Sequence, residues 1–287
     1  MIDLLEDLLG APVVLEDLKH KPGRRSTWRA VGRRGRAIVK HYESDRAPSV
    51  AARVAALGAG PAEPIVPQVL AFDADLHVIV LSEVPGVPFR DAVLGGDLAA
   101  CGRVGAALAR WHTAWAGVKP PDFRVHTADR ELDLLLGWAE AAPGQLGEAV
   151  RAAASTLGGE WVSSTVIHRD LYEEQVLLGE RVGIIDLDDA AIGPPELDLG
   201  NLVAHLALLG IRSRHDLTLA SETLLEGYLS VAWADPALLA RLRRLSLLRL
   251  ACIHQEPILV GLASADPAGP PPVMPSTFRR AERPYLF

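Results

Sequence analysis

The fold turns on the stretch Val166–His205, VIHRDLYEEQVLLGERVGIIDLDDAAIGPPELDLGNLVAH. It opens on apolar residues, turns at His168-Arg169-Asp170, and runs through a polar loop to Gln175. Two short apolar runs follow, Val176-Leu177-Leu178 and Val182-Gly183-Ile184-Ile185, around a Gly/Glu/Arg turn. That pattern predicts a β-hairpin. Its antiparallel strands return to their origin, so Asp170 and Gln175 before the first strand meet Asp186 at the end of the second. Convergent oxygen ligands suit Mg²⁺, which prefers hard donors and shares its shell with phosphates and water.

H-x-D-x-x-x-x-(N/Q), then a strand and I-D-x-x-D, resembles the catalytic core of the aminoglycoside phosphotransferase and choline kinase group, which shares its fold with protein kinases. The resemblance implies an α+β, two-lobed kinase-like fold. A small antiparallel nucleotide-binding lobe would span residues 1–83. A mostly helical lobe over 84–287 would carry the catalytic loop, the metal loop and the acceptor site. It implies that Asp170 takes the proton of the substrate hydroxyl and that Gln175 and Asp186 hold Mg²⁺, as in the general kinase template. Asp188 is a candidate for a second metal or a hydrogen-bonded turn aspartate, and Asp189 reads as structural. Gln175 replaces the commoner Asn and keeps the amide oxygen on a longer side chain.

Upstream, residues 2–9 read as a short helix with Ile2, Leu5 and Leu9 on one side. Residues 12–42 read as three strands broken at Lys21-Pro22-Gly23-Arg24-Arg25 and at Gly32-Arg33-Arg34-Gly35, both turn chemistry. Lys40, at the end of the third strand, is by resemblance the lysine that pairs the nucleotide's α- and β-phosphates. The first turn takes the place of the phosphate-covering loop. It has no GxGxxG, but Gly23, Ser26 and Thr27 offer backbone and hydroxyl donors, and Arg24 and Arg25 offer guanidinium charge that suits phosphate. Residues 47–58 read as a helix. Kinase-like folds carry there a glutamate that pairs with the strand lysine, and this segment has none. Either Glu43 substitutes, or Lys40 lacks a carboxylate partner. Two further strands end at Val84-Pro85-Gly86, where the resemblance puts the interlobe hinge, with backbone groups of Glu83 and Val84 facing the adenine edge of ATP.

Beyond the hinge the period becomes helical. Leu98, Cys101, Leu108, Trp111 and Trp115 mark a buried face, beside which His112 reads as a core histidine. Helices are expected at 129–141, 145–157, 195–209, 214–232 and 236–263. Pro195 opens the first of these last three, and Asp198 lies in its first turn, where the helix dipole favours a carboxylate. The resemblance makes Asp198 a brace for the catalytic loop. The Pro-rich tail from Asp266, with Arg279, Arg280 and Arg283, reads as a packed extension.

At 49% hydrophobic and 23% charged, the 287-residue chain can bury a core and is not disordered. A net charge of −7 argues against a nucleic-acid partner and is compatible with a cationic acceptor. Cys101 and Cys252 are too few for a disulfide framework and read as buried thiols in a reducing compartment. The acidic N-terminus is no signal peptide, and no apolar run approaches the roughly 18 residues of a membrane span. A cytoplasmic protein without membrane partners is expected.

Asp198 follows Asp186 too closely for a long activation segment, so no protein substrate is expected and Arg169 reads as a local ion pair. The expected partner is a small hydroxyl acceptor such as an aminoglycoside or amino-sugar. Glu173, Glu174, Glu196 and Glu256 are candidate acids facing it. Two other readings compete: a nucleotide-binding pseudokinase with impaired catalysis, and a metal-dependent hydrolase using His168.

Overall fold

The structure is a computed structural model and describes residues 1–60 and 63–265. The Pro-rich tail and its arginines lie outside the described residues. Two compact units are present. Among the described residues, the first takes 1–60, 63–92, 111–126 and 163–194; the second takes 93–110, 127–162 and 195–265.

In the first unit, α1 (Ile2–Leu9) precedes β1 (Val14–Lys21), β2 (Arg25–Gly32) and β3 (Gly35–Tyr42). After α2 (Ala47–Gly58), β4 (Val69–Asp73) and β5 (Val78–Ser82) complete an antiparallel sheet of order β1-β2-β3-β5-β4. Side chains alternate across a strand, so each strand feeds two faces. One face is apolar. Ala30, Ala37, Val39, Val78 and Val80 pack there with Leu5 and Leu9 of α1. That burial explains why an eight-residue helix holds, since an isolated helix so short is marginal in water. The other face carries Arg25, Thr27, Lys40 and Tyr42.

Among the described residues, two smaller sheets complete this unit. The strand β6 (Val87–Pro88) pairs with β8 (Val176–Leu178), which pairs with β9 (Val182–Ile184) in the expected hairpin. Ile65 lies parallel to β9, its N–H donating to Val182 O at 2.8 Å and its carbonyl accepting from Ile184 N at 2.8 Å. Strands β7 (Thr165–Ile167) and β10 (Ala191–Gly193) form an antiparallel pair, with a 3₁₀ turn at Leu187–Asp189 just before β10.

Helix α3 (Phe89–Leu94) leads to α4 (Leu98–Ala114). The second unit is built on α5 (Ala128–Ala141), α6 (Gly144–Ala154), α7 (Pro195–Ser213), α8 (Thr218–Leu229), α9 (Pro236–His254) and α10 (Ile258–Ala265), with the first part of α4. Thr127 caps α5, accepting from Arg130 N. Asp235 caps α9, accepting from Ala237 N and Leu238 N. Gly105 of α4 lies so close to α8 that an added Cβ would overlap Leu224 O. The single helix expected over 236–263 is two. Gln255 takes a left-handed conformation, φ 52°, with its N–H turned back to Cys252 O, and Pro257 lacks the N–H to continue the ladder.

The α+β class expected from the sequence holds: an antiparallel five-stranded sheet with a helical remainder. Cys101 and Cys252 are free and buried. Among the described residues no helix is long and apolar enough to cross a membrane.

Candidate active site

The site begins with a register. Strands β2 and β3 set Arg25 opposite Tyr42 and Thr27 opposite Lys40. Cross-strand neighbours share a face, so four polar side chains meet on one patch of sheet. Lys40 is 6% exposed and Arg25 9%. Buried cations need partners, and both find them in the loop after β9. Lys40 Nζ donates to Asp186 Oδ1 at 2.8 Å and to Asp188 Oδ1 at 2.7 Å. Arg25 Nη1 donates to Asp186 Oδ1 at 2.8 Å and also to Asp188 Oδ2, while Nη2 reaches Asp186 Oδ2 at 3.1 Å. Tyr42 donates its hydroxyl to Asp188 Oδ2 at 2.8 Å. Two cations thus balance two carboxylates.

The two loops are aimed by short strands. Pairing of Ile167 with Ala191 pinches together the chain entering His168-Arg169-Asp170 and the chain leaving Asp186–Asp189. His168 Nε2 lies 2.9 Å from Ile185 O. A carbonyl only accepts, so Nε2 carries the proton and the imidazole ties one loop to the other. Ile185 N donates to Gln175 O at 3.0 Å, which sets Gln175 beside the residue before Asp186. Arg169 and Asp186 both adopt left-handed backbone, φ 76° and 65°. Such conformations are uncommon for side chains with a Cβ and cluster at functional sites.

Asp170, Asp186 and Asp188 line one pocket of about 140 Å³ with Lys21, Arg24 and Arg25. Asp170 is exposed to it. Burial alone would raise the Asp186 carboxyl, but the Lys40 ammonium and the Arg25 guanidinium outweigh burial and hold it well below the usual carboxylate range. Burial, then the neighbouring Asp188, push the Tyr42 phenol up. Burial lowers the Lys21 amine, and Lys19 and Arg25 lower it further, which marks a positive rim. The amide oxygen of Gln175 is buried and has no hydrogen-bond partner among the described residues. A buried acceptor without a donor is costly and invites a cation. Asp186 and Gln175 therefore offer the oxygen donor set that suits Mg²⁺. Among the described residues, no group of three or more His, Cys, Asp or Glu is arranged to hold a metal ion.

The remaining candidates fall as follows. Gly23 sits at the turn before β2 with φ 69° and open space around it. Ser26 points to the opposite face from Arg25 and Thr27, with Oγ 2.8 Å from His20 Nδ1; the hydroxyl on the site face is that of Thr27. Glu83 accepts from Arg29 Nε at 2.8 Å, and Val84 is buried. Asp188 is fully engaged by Lys40, Tyr42 and Arg25. Of the acids considered for the acceptor, Glu174 is exposed, Glu173 is buried, and Glu256 is half-buried. Glu196 is buried and accepts from Asp235 N at 2.7 Å at the start of α9.

The partner of Lys40 is neither Glu43, which is exposed, nor absent: it is the Asp186/Asp188 pair. Where a glutamate was sought, α2 supplies Arg53, whose Nη2 donates to Asp188 O at 2.7 Å. Arg46, just before α2, donates to Asp189 Oδ1 at 3.0 Å. Sequence reasoning passed over Tyr42, Arg46 and Arg53. Tyr42 was reachable, because period two sets it on the face of Lys40. A lone arginine inside the apolar run of α2 was the signal for Arg53.

The sequence model of the phosphotransferase enzyme family matches residues 20–248. Among solved structures, the macrolide 2′-phosphotransferase MphH of Brachybacterium faecium is 17% identical, with 94% of this chain and 97% of that chain covered and a TM-score of 0.61. A putative aminoglycoside phosphotransferase of Ralstonia eutropha is 14% identical over 92% and 88%, with a TM-score of 0.64. Choline kinase of Cryptosporidium parvum is 12% identical over 92% and 91%, with a TM-score of 0.62. Comparison with curated protein sequences gave no match. The sequence match over most of the chain, on a fold shared with these proteins, makes this protein a member of the phosphotransferase enzyme family.

Proposed function

We propose that the protein transfers the γ-phosphoryl group of ATP to a hydroxyl of a small molecule, with Mg²⁺ as cofactor and Asp170 as the general base. The observation that carries this reading is the shared pocket: an exposed carboxylate, Asp170, opens onto the same cavity as Asp186 and a rim of Lys21, Arg24 and Arg25. Phosphoryl transfer asks mainly for placement and for charge to meet charge. Lys40 and the basic turn around Gly23 bind the phosphates. Backbone groups of Glu83 and Val84 face the adenine, in a nucleotide lobe ending near residue 83. Asp170 accepts the hydroxyl proton on its carboxylate while the acceptor oxygen bonds to phosphorus and the bond to the β,γ-bridging oxygen breaks. Asp186 and Gln175 hold Mg²⁺, which when bound offsets the negative charge of the phosphates. His168 keeps both loops in register through Ile185 O.

The acceptor is a hydroxyl compound of the aminoglycoside or amino-sugar type, and exposed Glu174, 4.0 Å from Arg90 Nη1, is an acid that a cationic one would share with that arginine. Mg-ATP, purified protein and a panel of aminoglycosides, amino-sugars, macrolides and amino alcohols test the reading, with product mass as readout. Transfer to any acceptor, abolished by Asp170→Ala, supports it. The engagement of both Asp186 and Asp188 by internal cations favours a second reading, a nucleotide-binding pseudokinase. A thermal shift with Mg-ATP and no transfer across the whole panel selects that one.

A further inference from the structure

We infer that Arg25 is an internal competitor for the metal-binding carboxylate, and that it makes metal binding conditional on the nucleotide. The inference rests on the nucleotide-site reading above and adds a positioning residue to it.

The argument starts from occupancy. Both oxygens of Asp186 accept from Arg25, and Oδ1 also accepts from Lys40. A carboxylate offers about four lone-pair sites in total, so a dication held by Asp186 contends with a forked, bidentate guanidinium for the same oxygens. Lys40 takes less of Asp186: its one amine gives a single bond to Asp186 Oδ1 and another to Asp188. Arg25 covers the whole edge of Asp186 and reaches Asp188 as well. Displaced from a buried site, a guanidinium must find another anion, because an unpaired buried charge is costly.

The position of Arg25 in the chain supplies the alternative. It is the first residue of β2, directly after the turn closed by Arg24 N donating to Lys21 O at 3.0 Å. It lines the same pocket as Lys21, Gly23 and Arg24. A triphosphate in that pocket presents oxygens that suit the guanidinium fork as well as a carboxylate does. With phosphate present, Arg25 exchanges one anion for another and frees the edge of Asp186. Without phosphate, metal entry leaves Arg25 only Asp188, a carboxylate already shared by Lys40 and Tyr42. Metal and nucleotide are therefore coupled through one side chain, and the coupling is reciprocal.

The test is a linkage cycle on the intact protein. Mn²⁺ affinity is read by electron paramagnetic resonance of the free ion, with and without the non-hydrolysable analogue AMP-PNP, in wild type, Arg25→Gln and Asp186→Asn. In Arg25→Gln, Mn²⁺ binding without nucleotide tightens by about tenfold or more, which corresponds to about 1.4 kcal/mol. The enhancement produced by AMP-PNP shrinks to match, and AMP-PNP affinity falls. Asp186→Asn loses Mn²⁺ binding. Arg25→Lys keeps the charge without the fork, gives an intermediate value, and carries the test if Arg25→Gln fails to fold. Wild type that binds Mg-ATP while folded Arg25→Gln or Arg25→Lys leaves Mn²⁺ affinity unchanged overturns this inference alone. Wild type that binds no Mg-ATP overturns the nucleotide reading and this inference with it.

Discussion

Lys40 and Asp188 form a buried ion pair, Nζ to Oδ1 at 2.7 Å, across a sequence separation of 148 residues. The 3₁₀ turn after β9 thus supplies the strand lysine with a carboxylate that α2 does not. Asp188 in turn is held by Tyr42 at one oxygen and by Arg53 at its carbonyl. The lysine, the Leu187–Asp189 turn and α2 form one connected network.

Removing the charge of Asp188 leaves Lys40 and Arg25 sharing one carboxylate in a buried site. Asp188→Asn is expected to cost about 3 to 5 kcal/mol, the range for breaking a buried pair from one side. Exposed Glu43 is the contrast, and Glu43→Gln should stay within about 0.5 kcal/mol. Urea unfolding of both variants checks the pair. Equal midpoints would show that Asp188 is not the partner that matters.

Asp170 is exposed and is assigned here to chemistry rather than to packing. Asp170→Asn should leave the unfolding midpoint near wild type and lower the rate of transfer by about 10²- to 10⁴-fold, the usual contribution of a general base. A variant with near-normal kcat would remove Asp170 from the mechanism.

Acid should act through Asp186. Its folded pKa lies below the unfolded value of about 3.9, because Lys40 and Arg25 outweigh burial. A depressed carboxyl contributes stability that is fully present above the unfolded pKa and is lost as pH falls from about 4 toward the folded pKa. Wild type should therefore exceed Asp186→Asn in stability at pH 5, and the gap should narrow as pH falls below about 4. Urea midpoints across that range give the curve. A gap independent of pH would mean that the carboxylate charge is not what stabilises.

Gly105 marks a close helix approach in the second unit. An added methyl would overlap Leu224 O and sit 2.7 Å from Tyr228 N, both backbone atoms. Gly105→Ala should cost about 1 to 3 kcal/mol, as overpacking does, and leave Mg-ATP affinity unchanged. Unfolding and nucleotide titration on the same sample separate the two effects.

The hairpin before Asp186 and the five strands of the sheet were legible because both rest on short-range signals: apolar runs, turn residues and the spacing from His168 to Asp186. The pairing of Lys40 with Asp188 was not, because it depends on which side chains face each other across distant segments. Tyr42 stood between the two cases, on the predicted face but with no visible partner. The break at Gln255 was hidden by apolar periodicity continuing on both sides of it, although Pro257 signalled an end. The pairs β7–β10 and Ile65–β9 involve three residues or fewer a strand, too short for any periodic signal.

The stitching of Ile65 to β9 has a mechanical result. Two backbone hydrogen bonds fasten residue 65 to β9, the strand that leads into Asp186, and four residues later the chain enters β4 of the large sheet. A tug on that outer strand passes along the backbone to Ile65, across its two hydrogen bonds to β9, and on to Asp186 without involving any charged side chain. Severing every ion pair in the pocket would still leave Asp186 tethered to the sheet's far edge.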